Sequence, residues 1–571
     1  MNSRWMLAEQ RPVVAEQLGR VTGVSSLLAQ CLINRGYTDS GTIQPFLQPR
    51  LKSLADPFLI PNMDRAVRLL WAARGRGEMV VIFGDYDVDG VTSTALLVEF
   101  LTALGWRVNW YLPHRMDEGY GLTRDGVENC LKQFPSRFLL AVDCGSSAVE
   151  TIGLLRQQGV EVLVLDHHQV SDPAPDASAL VNPQLGRADQ PSYRELCSAG
   201  LAFKLAHALV KHGRQLGIAG FESFDLRPFL DLVALGSIAD IVPLTGENRI
   251  LVTAGLERLN RTTRPGLLAL MQVAQIQGQI GVYEVGFQLG PRLNAAGRLE
   301  NAAEALDLVL ADSMQKAAPL AKSLDLRNRE RQQIERSIAD EAVAALRKKF
   351  NPDLDYVIVE ARSHWHIGVV GIVASRVLRE FYRPTIILGD DEGQWRGSGR
   401  SIEGFDLASA LRECAGLLVR HGGHAMAAGL ACQVENLDAF RSELNDLARR
   451  SLSLEQLQPL LKIDAETTLS SITLERLEEF NRIEPVGQGN RAINLMTSGV
   501  RLQRPPLRMG KSQQHAKLWV TDGRVVHEVV WWNAPPGSTP TGPFDLAFAP
   551  EINEFNGRKT IQLKLLDWRP A

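Results

Sequence analysis

Three short apolar runs in the first third of the chain each stop at acidic or imidazole residues, and no other feature restricts the possible folds as strongly. Met79–Phe83 runs into Gly84-Asp85-Tyr86-Asp87-Val88-Asp89-Gly90, Phe138–Val142 into Asp143, and residues 160–165 into Asp166-His167-His168. Stretches with helical spacing, at 92–104 and 148–158, lie among them. Apolar runs of this length alternating with helices predict βαβ units, hence a mostly parallel sheet with helices on its faces. The carboxyl ends of such strands line the crevice where ligands bind, so the acidic and imidazole groups are expected to converge there.

Several carboxylates brought together raise one another's pKa steeply unless a cation joins them. A carboxylate-rich set with one or two imidazoles suits Mn²⁺ or Mg²⁺ better than zinc or copper. Two such ions, about 3.5 to 4 Å apart, would activate a water and stabilise both oxygens of an in-line displacement at phosphorus. A solvated acidic loop, a calcium loop and a structural histidine pair are the bland alternatives. Calcium is disfavoured because the spacing stops at Asp89-Gly90, with no Glu at the twelfth position. Acid or imidazole at three separate strand ends argues against coincidence.

The remaining chain divides by pattern. Short helices are expected around residues 13–32, with Asp39 capping another. Residues 320–350 hold neither Gly nor Pro and repeat apolar residues at helical spacing, which predicts one helix of roughly 45 Å. A second alternating region, from 356 to about 450, reads as another α/β domain. Alternating stretches at 516–520, 525–531 and 560–565, with Asp522-Gly523 and Asn556-Gly557 as hairpin signals, predict a small antiparallel domain that an OB-type barrel would suit. At least two of Trp519, Trp531 and Trp532 are expected inside that barrel.

A net charge of −3 looks wrong for a protein that handles phosphates, but the charge is uneven. Residues 485–571 are near +5 and the rest near −8, so a basic surface is expected at the C-terminal end. Lys511, Lys517, Trp519, Arg558 and Lys559 there suit a charged stacking platform for unpaired bases. Six cysteines without a C-x-x-C pair indicate reduced thiols and no zinc site. Neither a long uncharged apolar run nor an apolar leader is present, so the expectation is a cytoplasmic protein with no membrane contact.

At Asp166-His167-His168 the sequence resembles the DHH phosphoesterase superfamily, and within it the bacterial RecJ family of single-stranded-DNA-specific 5′ to 3′ exonucleases. The resemblance runs from residue 56 onward. It includes residues 84–90, Pro113-His114-Arg115, Val142-Asp143-Cys144-Gly145, residues 238–243 ending in Val242-Pro243, and residues 291–298 containing Arg292 and Arg298. Further matches are Trp365-His366, Gly397-Ser398-Gly399-Arg400-Ser401, Gly422-Gly423-His424, residues 484–490 and residues 551–557.

The resemblance implies an N-terminal helical segment (1–70), a DHH catalytic domain (71–310), a connecting helix (311–350), a DHH-associated substrate-binding domain (351–455) and an OB-type nucleic-acid-binding domain (456–571). It implies Asp87, Asp89, Asp143, His167 and Asp240 as ligands of two Mn²⁺ or Mg²⁺ ions, with Asp143 bridging, His168 against the phosphate being cut, and Asp85 as an outer or orienting carboxylate. Arg115, Ser398 and Arg400, with Arg292 or Arg298 nearby, would hold a terminal phosphate. Gly422 and Gly423 before His424 would let the backbone approach the strand. Phe83 stands where many relatives carry His, which would leave one metal position weaker or more hydrated.

The implied activity is processive hydrolysis of single-stranded DNA to mononucleotides in repair and recombination, by a monomer working with a helicase and a single-strand-binding protein. Two rivals are a phosphodiesterase or pyrophosphatase acting on short oligonucleotides, cyclic dinucleotides or similar small substrates, and a non-catalytic replication scaffold. The C-terminal β-domain argues against the first, and the intact acidic set against the second.

Overall fold

A computed structural model describes residues 3–114, 117–119, 121–186, 193–299, 302–555 and 557–571. An N-terminal strand, β1 (Arg4–Leu7), is followed by helices Pro12–Thr22, Ser26–Ile33 and Ser40–Leu47. Asp39 caps the last of these as expected, accepting the Thr42 N–H at 3.0 Å.

The first sheet contains β2 (Met79–Phe83), β3 (Arg107–Tyr111), β4 (Phe138–Val142), β5 (Glu161–Leu165) and β6 (Ala179–Val181), all parallel, in the order β3-β2-β4-β5-β6. The chain steps outward from β2 to β3 and then returns to the other side of β2. The gap between the ends of β2 and β4 is therefore the switch point where a doubly wound sheet opens a crevice. Alternation explains why the runs are apolar throughout. Val80 and Ile82 enter the core on one face, and Val81 and Phe83 enter the core on the other.

The long helix, Met314–Lys349, begins six residues earlier than the sequence pattern suggests and passes through Pro319. Its first half contributes Ala317, Ala321 and Leu324 to the core of the first sheet, and its second half contributes Ile338, Ala342 and Leu346 to the core beyond. That next region carries β7 (Ile358–Ala361), β8 (Thr385–Asp391), β9 (Gln394–Arg400), β10 (Leu418–His424) and β11 (Ala427–Gln433), in the order β10-β11-β9-β8-β7. Only β7 and β8 run parallel.

Residues beyond 459 supply β12 (Leu460–Ile463), β13 (Ala465–Glu466), β14 (Leu495–Met509), β15 (His515–Thr521), β16 (Val526–Trp531), β17 (Phe544–Phe555) and β18 (Arg558–Pro570). The pairings run β14-β15-β16-β18-β17 and return to β14, closing a ring. Gly523, with φ 89, turns the β15–β16 hairpin; Asn556 lies outside the described residues.

The N-terminal helices do not stand apart. Leu28, Leu32, Ile43 and Phe46 share one core with Leu518, Phe544, Leu546 and Leu563 of the ring, and β1 pairs with β12. The expectation for the tryptophans fails. Trp531 packs partly buried against this core, but Trp519 lies on the opposite face from fully buried Leu518 and Val520, and Trp532 is 50% exposed. Strand alternation fixes the side on which each residue points, and the aliphatic positions and phenylalanines already fill the interior.

Candidate metal centre

The crevice is built from strand ends and helix starts. After β2 the chain turns through Gly84, where a Cβ would come within 2.2 Å of Thr94 Oγ1, and Gly90, where it would meet Asp85 O at 2.4 Å. Asp87 caps the helix Val88–Ala103, accepting the Gly90 N–H at 3.0 Å. Asp89 lies in the first turn of that helix, and Asn294 accepts the Val88 N–H at 3.1 Å. Asp143, after β4, adopts φ 64 and donates its N–H to Leu165 O at 3.0 Å. A left-handed aspartate held by the neighbouring strand is the kind of backbone outlier that gathers at functional sites.

These elements bring His167 Nε2 to 3.4 Å from Asp143 Oδ1, 3.6 Å from Asp240 Oδ2 and 4.0 Å from Asp89 Oδ2. His167 Nε2 is buried and has no hydrogen-bond partner among the described residues. Asp89, His167 and Asp240 hold ligand atoms within 4.8 Å of one another, and so do Asp143, His167 and His168. The first of these sets, with the Asp143 carboxylate beside it, fits a divalent cation held by the unpaired imidazole nitrogen.

The electrostatics also favour a cation there. Burial, then the charge of Asp87, pushes the Asp85 carboxyl up to about 8. Burial, then Asp89 and Asp87, pushes Asp240 up to about 9, and Asp143 is driven well above the carboxylate range by burial and the same neighbours. Asp89 is raised by burial, with His167 opposing. Burial also lowers His167, which favours the neutral form that binds metals.

Asp166 behaves in the opposite way. Against its burial, the hydrogen bond and charge of His168 hold it below the usual carboxylate range. It accepts the N–H groups of Ser146 (2.9 Å), His167 (2.8 Å) and His168 (3.2 Å), and its Oδ1 lies 2.7 Å from His168 Nδ1. In return His168, despite burial, is held up to about 9. The DHH motif therefore contains an orienting carboxylate, a neutral donor and a cation.

Sequence reasoning missed the support for these groups. Asp89 accepts the N–H groups of Ser198 (2.6 Å) and Ala199 (2.9 Å) at the start of the helix Ser198–Gln215, and the Ser198 hydroxyl donates to Asp143 Oδ1 at 2.8 Å. Asn182 Nδ2 holds the His168 carbonyl at 2.8 Å. A lone Ser or Asn carries no periodic or spacing signal, so neither stands out in the sequence.

The expected phosphate-binding residues are more scattered. Arg400 Nη1 donates to Ser398 Oγ and Gly399 O, both at 2.8 Å, and among the described residues it has no carboxylate partner. A Cβ on Gly371, at the start of the helix Val370–Phe381, would lie 3.2 Å from Ser398 Oγ and Arg400 Nη2. Ser398 and Arg400 thus share one corner with a helix N-terminus, a setting that favours anions. Gly422, Gly423 and His424 lie exposed on the edge strand β10. Arg292 is engaged elsewhere, donating to Asp325 Oδ1 at 2.9 Å and Gln288 O at 2.6 Å. Arg115 and the Arg298 side chain lie outside the described residues. On the C-terminal ring Lys517 pairs with Glu528 at 2.8 Å and Lys559 with Glu478 at 3.2 Å. Lys511 and Arg558 are exposed, and Arg504 stacks over Trp519 at 3.5 Å.

The DHH family N-terminal domain matches residues 79–237, the DHHA1 domain 354–450, and the RecJ OB domain 463–567. The chain is 35% identical to the single-stranded-DNA-specific exonuclease RecJ of Bacillus subtilis, over 99% of this chain and 70% of that protein. It is 36% identical to the Haemophilus influenzae protein of the same description, over 91% and 93%. The crystal structure of RecJ with Mn²⁺ from Thermus thermophilus matches with a TM-score of 0.85 at 28% identity, covering 100% of this chain and 80% of that one. The Mg²⁺ complex matches with a TM-score of 0.79.

Proposed function

The chain belongs to the RecJ family of single-stranded-DNA-specific exonucleases, and from that membership we propose a 5′ to 3′ direction of attack, two divalent ions and a role for each residue of the crevice. It is a nuclease of single-stranded DNA that uses Mn²⁺ or Mg²⁺, and DNA repair and recombination are the typical setting of the family. The observation that carries the metal reading is His167 Nε2, buried without a partner among the described residues and faced by Asp89, Asp143 and Asp240.

Asp87, Asp89, Asp143, His167 and Asp240 are the proposed ligands, with Asp143 shared and Asp85 outside them. Bound there, the ions would lower the pKa of the attacking water and draw charge from the phosphodiester oxygens. Asp166 keeps His168 protonated, so that its imidazolium stabilises the phosphate as negative charge builds during displacement. Ser398 and Arg400 receive the terminal phosphate, which sets the polarity and limits release to one nucleotide at a time. The exposed bases and Trp519 of the C-terminal ring track the strand behind it.

A helicase and a single-strand-binding protein are natural partners, because the substrate must first be unwound and kept open. We read the chain as a cytoplasmic monomer. No helix among the described residues is long and apolar enough to cross a membrane.

Digestion of 5′-labelled and 3′-labelled single strands with Mn²⁺, Mg²⁺ or chelator tests this reading. The 5′ label should leave first as a mononucleotide, and chelator should stop all release. Early loss of the 3′ label would reverse the polarity.

A further inference from the structure

The turn that carries Asp240 is held from outside its own domain. The helix Leu230–Ala239 ends in a Schellman arrangement, with the Ile241 N–H donating to Ile238 O at 3.2 Å and the Val242 N–H to Ser237 O at 3.4 Å. Asp240 is the cap, and Ile241 takes the left-handed position, φ 60, that glycine usually fills. A β-branched residue is strained there, and Ile241 is 68% exposed, so burial of its side chain does not offset the strain. Such a conformation persists only where surrounding structure over-determines it.

The surrounding structure is the segment 482–490. Leu244 N–H donates to Gln488 O at 2.7 Å. Gly489, φ 72, lies so close that a Cβ would come 2.9 Å from Pro243 Cβ, and a Cβ on Gly487 would come 2.8 Å from Leu244 Cδ1. The Gly487–Asn490 turn is itself closed by hydrogen bonds. Its ends exchange backbone bonds at 2.8 and 3.2 Å, and Asn490 Nδ2 donates to Ile483 O and Pro485 O at 2.8 and 2.9 Å. From the catalytic side, Asn248 Nδ2 reaches Pro243 O at 3.1 Å. The buried Arg249 guanidinium donates to the carbonyls of Ile483 and Glu484, both at 2.7 Å, and of Phe46 at 2.7 Å.

We propose that the Gly487–Asn490 turn is a brace that holds Asp240 in the orientation its ion requires, with Gly487, Gly489 and Arg249 as positioning residues. The C-terminal domain then sets the metal affinity of the catalytic crevice as well as contacting the strand. This rests on the reading of Asp240 as a metal ligand.

The test uses the full chain. In Gly489→Ala, Mn²⁺ affinity by calorimetry should fall about fivefold or more, the lower end of typical coupling between sites. Deuterium uptake should rise at residues 240–248, while affinity for a long single strand in chelator stays at the parent value. Gly487→Ala should move the same way by less, and Asp240→Asn should lose more Mn²⁺ affinity than either. If Asp240→Asn binds Mn²⁺ like the parent, the ligand assignment itself fails. If Asp240→Asn is weakened and both glycine variants bind like the parent, the brace is overturned. Should uptake in Gly489→Ala rise throughout the molecule, Gly487→Ala decides by the same criterion, because its added methyl meets a flexible leucine side chain rather than backbone.

Discussion

Asp143 is buried, left-handed and hydrogen-bonded by Ser198, so its carboxylate is held in place. Asp143→Ala should cut hydrolysis by about a thousandfold or more, the upper end of losses for a group aimed at developing charge. Single-strand binding, which depends on basic groups elsewhere, should persist in a filter or anisotropy assay. Ser198→Ala removes only the orienting hydroxyl, so about 10- to 100-fold in activity or metal affinity is expected. Equal losses in the two variants would remove the distinction between ligand and support. Proton linkage gives a second test. Asp85 and Asp240 hold their protons to about 8 and 9 in the fold but release them near 3.8 when unfolded, so between those values the folded state binds more protons. Stability of the metal-free protein therefore falls as pH rises through that window. His168, raised against its burial by Asp166 to about 9, contributes stability below pH 6.5 that is lost as pH rises through 9, with the same sign. The Tm in chelator should drop between pH 6.5 and 9, and the gain from Mn²⁺ should grow over the same interval.

At the scale of elements, the corner formed by β9 and the helix Val370–Phe381 is the place to test end recognition. Arg400 has no carboxylate to neutralise it among the described residues and lies beside Ser398. A guanidinium on a phosphate is worth about 1.5–3 kcal/mol, or roughly ten- to a hundredfold. Arg400→Ala should raise KM for 5′-phosphorylated ends by that factor and change 5′-hydroxyl ends less. Equal losses in a steady-state comparison would make Arg400 a general backbone contact. Ser398 and Arg400 were legible as a motif, whereas the engagement of Arg292 by Asp325 was not, because the two meet only when the connecting helix packs beside the helix Gly290–Leu299.

At the scale of the whole molecule, the two ends of the chain form one unit. Leu28, Leu32 and Ile43 are completely buried in a core completed by residues beyond 464, and each such side chain contributes about 1.5–3 kcal/mol by burial. A chain ending at residue 461 strips the cover from the N-terminal helices and should aggregate. A piece spanning 48–461 removes both halves of that core together and should stay soluble, but without the 482–490 turn it should need a higher Mn²⁺ concentration to cleave. Its affinity for long strands should be lower and its salt dependence shallower, since fewer phosphates are neutralised. Size-exclusion chromatography and a salt titration check both outcomes, and an unchanged salt slope would remove the C-terminal ring from the binding surface.

Periodicity and strand-end chemistry are local properties. The sequence alone therefore determined the parallel sheet, the long helix, the final β-domain, and the convergence of Asp85, Asp89, Asp143, His167 and His168 on one crevice. Only the tertiary structure decided which distant residues support them, through Ser198 on Asp89 and Asp143 and the 482–490 turn on Asp240. It also decided that the N-terminal helices close the C-terminal core, and that Trp519 faces outward. These depend on hydrogen bonds and packing between segments separated by tens to hundreds of residues, and no window of sequence contains both partners.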